Sequence, residues 1–196
     1  MKQEVPEKSN IAWFKLAEFI TRGEKERALS IYRLLSYSIT DQALVAQLEG
    51  DILQAFNDER AIDSYQRAID IYHHHRAYVN IIDLARQIIS IFLDRERVSE
   101  VDDLITITII PEAEKTKLRE HAIIEILKRE AHHLKPWAFK HLKVTLDKLS
   151  NSHEFSNRLT TFLGTIAALD NETHQYACTL LASGDNFHTA DTKKVE

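Results

Sequence analysis

The segment Glu26-Arg27-Ala28-Leu29-Ser30-Ile31-Tyr32 recurs 33 residues later as Glu59-Arg60-Ala61-Ile62-Asp63-Ser64-Tyr65. A fixed offset of this size is typical of helical repeat arrays, in which one helix pair cannot bury its apolar face alone. Neighbouring pairs then share a continuous core, and a small Ala at the crossing lets two helices approach closely. The sequence around these two copies therefore predicts stacked helix pairs.

Amphipathic helical spacing continues outward from this segment through most of the chain. Apolar residues recur at i, i+3, i+4 and i+7, which is the pattern of a helix with one buried face. Gly occurs 4 times and Pro 3 times in 196 residues, so glycine-rich nucleotide loops and turn-dense β folds are disfavoured. We predict an all-α fold with ten helices, at about residues 10–22, 25–37, 40–56, 58–73, 76–93, 95–105, 111–134, 136–149, 151–169 and 170–184.

Residues 104–110 depart from the helical pattern. The segment Leu-Ile-Thr-Ile-Thr-Ile-Ile is β-branched and alternates with period two, which is typical of a strand. The sequence offers no partner strand, so we expect a buried connector here.

Charge and cysteine content limit the class of protein. The formal net charge is -5, which does not favour nucleic acid as the main partner. The single Cys178 fits a reducing compartment. The charged first ten residues do not resemble a secretory signal, and no apolar run approaches the ~18 residues of a membrane span. We therefore expect a cytoplasmic protein without a membrane span.

The helix pairs resemble the tetratricopeptide repeat (TPR) family over about residues 10–105. The family's apolar and small positions fall in the first pair on Trp13, Leu16, Ala17, Ile20, Ala28, Tyr32 and Leu35. In the second pair we place them on Val45, Leu48, Glu49, Ile52, Ala61, Tyr65 and Ala68. A weaker third match uses Tyr78, Ile81, Ile82 and Ala85. The resemblance implies a right-handed α-solenoid of antiparallel helix pairs.

This interpretation divides the chain into four parts. Residues 1–9 form an N-terminal tail and residues 10–110 the TPR-like repeats. Residues 111–184 form a C-terminal helical region, either degenerate repeats or a capping bundle, and residues 185–196 form a flexible tail.

The resemblance also implies where a partner binds. TPR arrays hold a peptide or helix in a concave groove lined by the first helix of each pair. In the second pair the groove positions fall on Ala43, Ala46, Gly50, Leu53 and Gln54. The candidate groove residues are Phe14, Glu18, Arg22, Leu53, Gln54, Arg76, Val79, Asp83, Arg86 and Gln87. We expect a non-catalytic scaffold (an adaptor, co-chaperone or assembly factor) that binds a protein or peptide, and a homodimer is a further option.

A basic stretch supplies the alternative function. Residues 112–150 carry nine Lys and Arg against six acids, a local charge of +3. The candidate basic patch is Lys128, Arg129, Lys135, Lys140 and Lys143. In this alternative the chain is a regulatory helical module whose basic helices contact nucleic acid or an anionic surface. Equally, these cations could belong to an ordinary solvated helix face.

No catalytic or metal-binding motif is apparent in the sequence. Adjacent histidines such as His73 and His74 point about 100° apart on a helix and cannot face one ion together. Cys178 and His174 could face one another, but the pair lacks an orienting group, and we expect a buried, inert thiol. We therefore expect no enzymatic activity, no cofactor and no metal.

Overall fold

A computed structural model describes residues 7–151 and 156–183, with side chains from residue 11 onward. All regular structure in these ranges is helical, which confirms the all-α prediction. The helices are α1 (Glu7–Thr21), α2 (Lys25–Ser36), α3 (Gln42–Ala55), α4 (Ala61–His74), α5 (Tyr78–Asp94), α6 (Ser99–Ile107), α7 (Glu112–Lys128), α8 (Lys135–Ser150), α9 (Ser156–Leu169) and α10 (Asn171–Ser183). No helix in these ranges is long and apolar enough to cross a bilayer.

The two predicted tails fall almost entirely outside the described residues. Residues 1–6 and 184–196 are not described. Residues 7–9, which we assigned to the N-terminal tail, belong to α1.

The chain forms two compact units, Met1–Ile91 and Phe92–Glu196. In the first unit, consecutive helices pack together from α1 to α4. In the second unit, α7 packs on α8 and α9, while α10 packs on α8 and α9. Each unit buries its own apolar core, centred on Tyr65 in the first and on Leu142 in the second.

Several helices end in the same local motif, a residue with positive φ just past the last turn. Gly23 follows α1, Asn57 follows α3 and Glu96 follows α5, with φ values of 74°, 54° and 59°. In each case the next backbone N–H donates to the carbonyl five residues earlier, as from Asp58 to Leu53. This Schellman motif satisfies carbonyls that the helix end would leave unpaired.

The buried face of α3 differs by one residue from the predicted face. The structure buries Ala43, Ala46, Gly50 and Leu53 together with Ile52, while Val45 and Leu48 are only partly buried. This face preserves the offset of 33 throughout, since Ala46, Gly50 and Leu53 correspond to Trp13, Ala17 and Ile20. Our placement of the family pattern on Val45, Leu48 and Glu49 was therefore wrong by one position. Small residues give a weak hydrophobic signal, although they allow the closest helix packing.

Residues 104–110 are not the continuous buried connector that we expected. Residues 104–107 form the last turns of α6, and only residues from Thr108 onward are extended. Thr108 donates its hydroxyl to Leu104 O at 2.6 Å, and Lys115 Nζ donates to Thr106 O at 2.8 Å. Ile107 and Ile109 are each 67% exposed, whereas Thr108 and Ile110 are buried. The period-two pattern thus marks a helix end followed by a short extended segment.

The seventh helix is shorter than predicted. It ends at Lys128, and Glu130 has a φ of 50°. A 3₁₀ turn at His132–Leu134 then leads into α8, whose first turn contains Pro136. The positive φ at Glu130 separates two helices that the apolar pattern had joined.

Candidate functional site

The first unit presents exposed apolar side chains on its odd-numbered helices. Phe14 on α1 is 77% exposed and Val79 on α5 is 72% exposed. Both belong to the predicted groove. Exposed large apolar groups become informative when they occupy equivalent positions of a repeat, because scattered single ones are common on any surface.

The charged groove residues form ion pairs within their own helices. Arg22 Nη2 lies 2.6 Å from Glu18 Oε1, and Arg86 Nη1 lies 3.2 Å from Asp83 Oδ1. Arg76 is exposed and precedes α5, with a φ of 55°. These arginines therefore present charges that are already balanced locally.

Leu53 does not lie on this exposed face. Its side chain is 4% exposed, and Ala43, Ala46 and Gly50 are also buried. The one-residue error in α3 explains the misplacement, because an offset of 33 from the α1 groove residues leads to different positions. The α3 residues that the sequence reasoning missed are Leu44, Gln47, Asp51 and Ala55, and the signal that could have found them was the constant repeat offset.

We use the name odd-helix face for the corrected set of equivalent positions. On α1 it comprises Ile11, Phe14, Glu18, Thr21 and Arg22. On α3 it comprises Leu44, Gln47, Asp51, Gln54 and Ala55. At α5 it comprises Arg76, Val79, Asp83, Arg86 and Gln87.

A hydrogen-bond network joins α3 to α5 across this face. Gln54 Nε2 donates to Gln87 Oε1 at 3.3 Å, and these two residues are 33 positions apart. The Tyr65 hydroxyl lies 2.6 Å from Gln54 Oε1 and 2.9 Å from Asp51 Oδ1, so its single proton serves one acceptor at a time. Gln47 accepts a hydrogen bond from the Tyr72 hydroxyl at 3.2 Å. Two α4 tyrosines thus fix polar side chains of the odd-helix face from below.

Burial changes the acidity of this network. Desolvation raises the pKa of Tyr65, and the nearby Asp51 carboxylate raises it further. Desolvation also raises the pKa of Asp51, although the hydrogen bond from Tyr65 acts in the opposite direction. The tyrosine therefore stays protonated and acts as the donor.

Leu53 instead lines a separate cleft of about 300 Å³ between α2, α3 and α4. Its charged walls are largely paired internally: Glu49 binds Arg67 and Ser64, and Arg60 Nη2 lies 2.7 Å from Asp58 Oδ2. The remaining two charged lining residues, Arg33 and Asp63, have opposite signs. The cleft therefore shows no net preference for one ligand charge.

The predicted basic patch in the second unit is largely neutralised. Lys128 Nζ lies 2.9 Å from Glu125 Oε1, and Arg129 lies 2.9 Å from Asp94 and 2.7 Å from Glu125. Lys135 lies 3.1 Å from Asp170, and Lys140 lies 3.9 Å from Asp102. Lys143 is exposed. Three of these carboxylates lie outside residues 112–150, so counting charges along the sequence missed them.

Histidine and cysteine side chains form no metal centre among the described residues. His141 Nε2 lies 2.7 Å from Asp102 Oδ2, and its ring stacks on Trp137 at 4.4 Å. Cys178 Sγ lies 3.6 Å from His174 Nε2. Cys178 is exposed, so our expectation of a buried thiol was wrong. The predicted helix is present, but Ala177 occupies its buried face instead.

Comparisons of the chain with family models, with curated proteins and with solved structures found no match.

Proposed function

We propose that residues 10–105 form a right-handed TPR-like solenoid and that the protein is a non-catalytic interaction scaffold. Its ligand is a peptide or helix of a protein partner, bound on the odd-helix face. This covers the roles of adaptor, co-chaperone and assembly factor in the cytoplasm. The observation that carries the proposal is that all three odd helices expose apolar side chains at groove positions, with Phe14, Leu44 and Val79 at 77%, 45% and 72%.

The energetics favour a ligand with apolar anchors. Complete burial of one large apolar side chain contributes about 1.5–3 kcal/mol. Three such contacts, together with hydrogen bonds to Gln54 and Gln87, are sufficient for a micromolar complex after the entropic cost of association. A helical or extended segment can supply anchors at this spacing.

The alternative function on the basic patch has less support. Four of its five cations have carboxylate partners within 4 Å. A phosphate backbone would have to displace those carboxylates, which reduces the gain from counterion release. We therefore do not propose nucleic-acid or lipid binding.

The test is a selection of binders from a random-peptide phage library on the full chain, followed by fluorescence anisotropy with synthetic peptides. The double variant Phe14→Asp/Val79→Asp places charges on the odd-helix face, and both sites are exposed enough to preserve folding. Leu34→Asp is the matched control, because Leu34 is 67% exposed on α2 and lies outside the face. We expect the double variant to weaken binding at least tenfold and the control to bind normally. Selected peptides that bind all three proteins equally would contradict the proposal.

A further inference from the structure

An acidic residue occupies the same position on each odd helix. Glu18 on α1, Asp51 on α3 and Asp83 on α5 are equivalent in the repeat, and all three are exposed. They lie beside the apolar positions of the odd-helix face. The inference below rests on the proposed function and concerns the chemistry of the partner.

Two of these three carboxylates are neutralised within their own helix. Glu18 pairs with Arg22 at 2.6 Å and Asp83 pairs with Arg86 at 3.2 Å. The α3 helix lacks both cations, since Ala55 stands at the position of Arg22 and Gln54 at that of Arg86. Asp51 has no cationic partner among the described residues, and its one hydrogen-bond donor there is the neutral Tyr65 hydroxyl.

The local packing holds Asp51 in place. The Tyr65 ring is fully buried, and a Cβ atom on Gly50 would come within 2.5 Å of it. Glycine at this position therefore allows the ring to pass under α3 and bring its hydroxyl to Asp51. Gln54 contacts the same hydroxyl and extends the network to Gln87 on α5. A carboxylate fixed in this way loses little conformational entropy when it binds a cation.

We propose that Asp51 binds a Lys or Arg side chain of the partner peptide, whose apolar residues contact Leu44 and Val79. The occupant of the odd-helix face is then a basic amphipathic segment of a protein partner. Charge complementarity is the reason for this choice. A single unpaired carboxylate in the middle of a face with apolar neighbours requires an opposite charge from the ligand.

The experiment uses the same phage-selected peptides and a double-mutant cycle. Asp51→Asn retains an acceptor for Tyr65, so the fold is preserved, and circular dichroism checks this. Asp63→Asn is the matched control, because Asp63 is an exposed carboxylate on α4 outside the odd-helix face. We expect the selected peptides to be enriched in Lys and Arg. Replacing the basic residue of the peptide by Gln, or Asp51 by Asn, should weaken binding about tenfold, and combining the two should cost little more.

The outcomes separate this inference from the proposed function. Peptides that are sensitive to Phe14→Asp/Val79→Asp but carry no basic residue, or that bind Asp51→Asn normally, would overturn this inference alone. Peptides that ignore the double variant would overturn the proposed function as well. Self-association in analytical ultracentrifugation that Val79→Asp abolishes would show that a second copy covers the face, which also overturns the inference.

Discussion

At the scale of single residues, Gly50 illustrates how a small side chain determines helix packing. The two Tyr65 ring atoms Cδ1 and Cε1 lie 2.5 Å from the place where a Cβ on Gly50 would be. Both elements are rigid, since the tyrosine is fully buried and hydrogen-bonded. Any side chain at residue 50 must therefore displace α3 from α4.

We predict that Gly50→Ala destabilises the chain by about 1–3 kcal/mol because of overpacking. Gly164→Ala is the control, since a Cβ at Gly164 meets no atom within 4 Å. In the middle of α9 that change should stabilise the protein by about 0.5–1 kcal/mol through helix propensity. Urea denaturation monitored by circular dichroism measures both. Equal effects from the two substitutions would contradict the close contact with Tyr65.

At the scale of helices, ion pairs tie equivalent helix starts together. Asp58 precedes α4 and binds Lys25, the first residue of α2, which lies 33 positions earlier. It also binds the Arg60 side chain and accepts a hydrogen bond from the Arg60 backbone N–H at 3.0 Å. Hydrogen bonds from Arg60 and Lys25 hold the pKa of Asp58 well below its usual range. One carboxylate thus links the starts of two even-numbered helices.

Asp58→Asn should destabilise the first unit by about 1–2 kcal/mol, since hydrogen bonds to a charged group are lost. Asp63→Asn provides the comparison on the same helix, and we expect a change of about 0.5 kcal/mol or less for this exposed residue. Thermal unfolding of the full chain and of both variants measures the difference. A wild-type melting temperature for Asp58→Asn would show that the tie contributes nothing.

At the scale of the whole molecule, protonation controls stability in acid. Four carboxyl groups have a lowered pKa, and hydrogen-bond donors to the ionised form are the cause; for Glu125 burial acts in the opposite direction and is outweighed. These groups are Asp58, Glu100, Glu125 and Asp170. Each stabilises the folded chain above the ordinary carboxyl pKa of about 4, and this contribution is lost as the pH falls below it.

His141 and Asp51 have opposite effects on this profile. Burial lowers the pKa of His141 although Asp102 opposes the change, so its protonation favours the unfolded chain once the pH falls below about 6.5. Asp51 has a raised pKa and gains stability on protonation, but it is one group against four.

We therefore predict that the urea midpoint decreases in two stages, slightly between pH 7 and about 5 and steeply below about 4. Denaturation curves at intervals of one pH unit measure this. Asp58→Asn should show a smaller decrease in the acidic stage than the wild type does. A midpoint that stays constant from pH 7 to pH 3 would exclude the proposed role of these carboxylates.

The sequence by itself determined the helical class and the repeat. Helix periodicity depends on neighbours within a few residues, so α2 (Lys25–Ser36) and α5 (Tyr78–Asp94) begin and end within two residues of their predicted bounds. The offset of 33 is also visible in the sequence, because Ala28 and Ala61 must be small wherever two helices cross closely.

The tertiary structure decided which side of each helix is exposed and which charges are balanced. Leu53 was assigned to the groove but lies in the core, because the small residues of α3 pack against Tyr65. Lys135 was assigned to a basic patch, yet it pairs with Asp170, 35 residues away. Both outcomes depend on contacts between residues that are far apart in the chain. Periodicity and local charge sums do not contain those contacts, since packing alone brings the partners within reach.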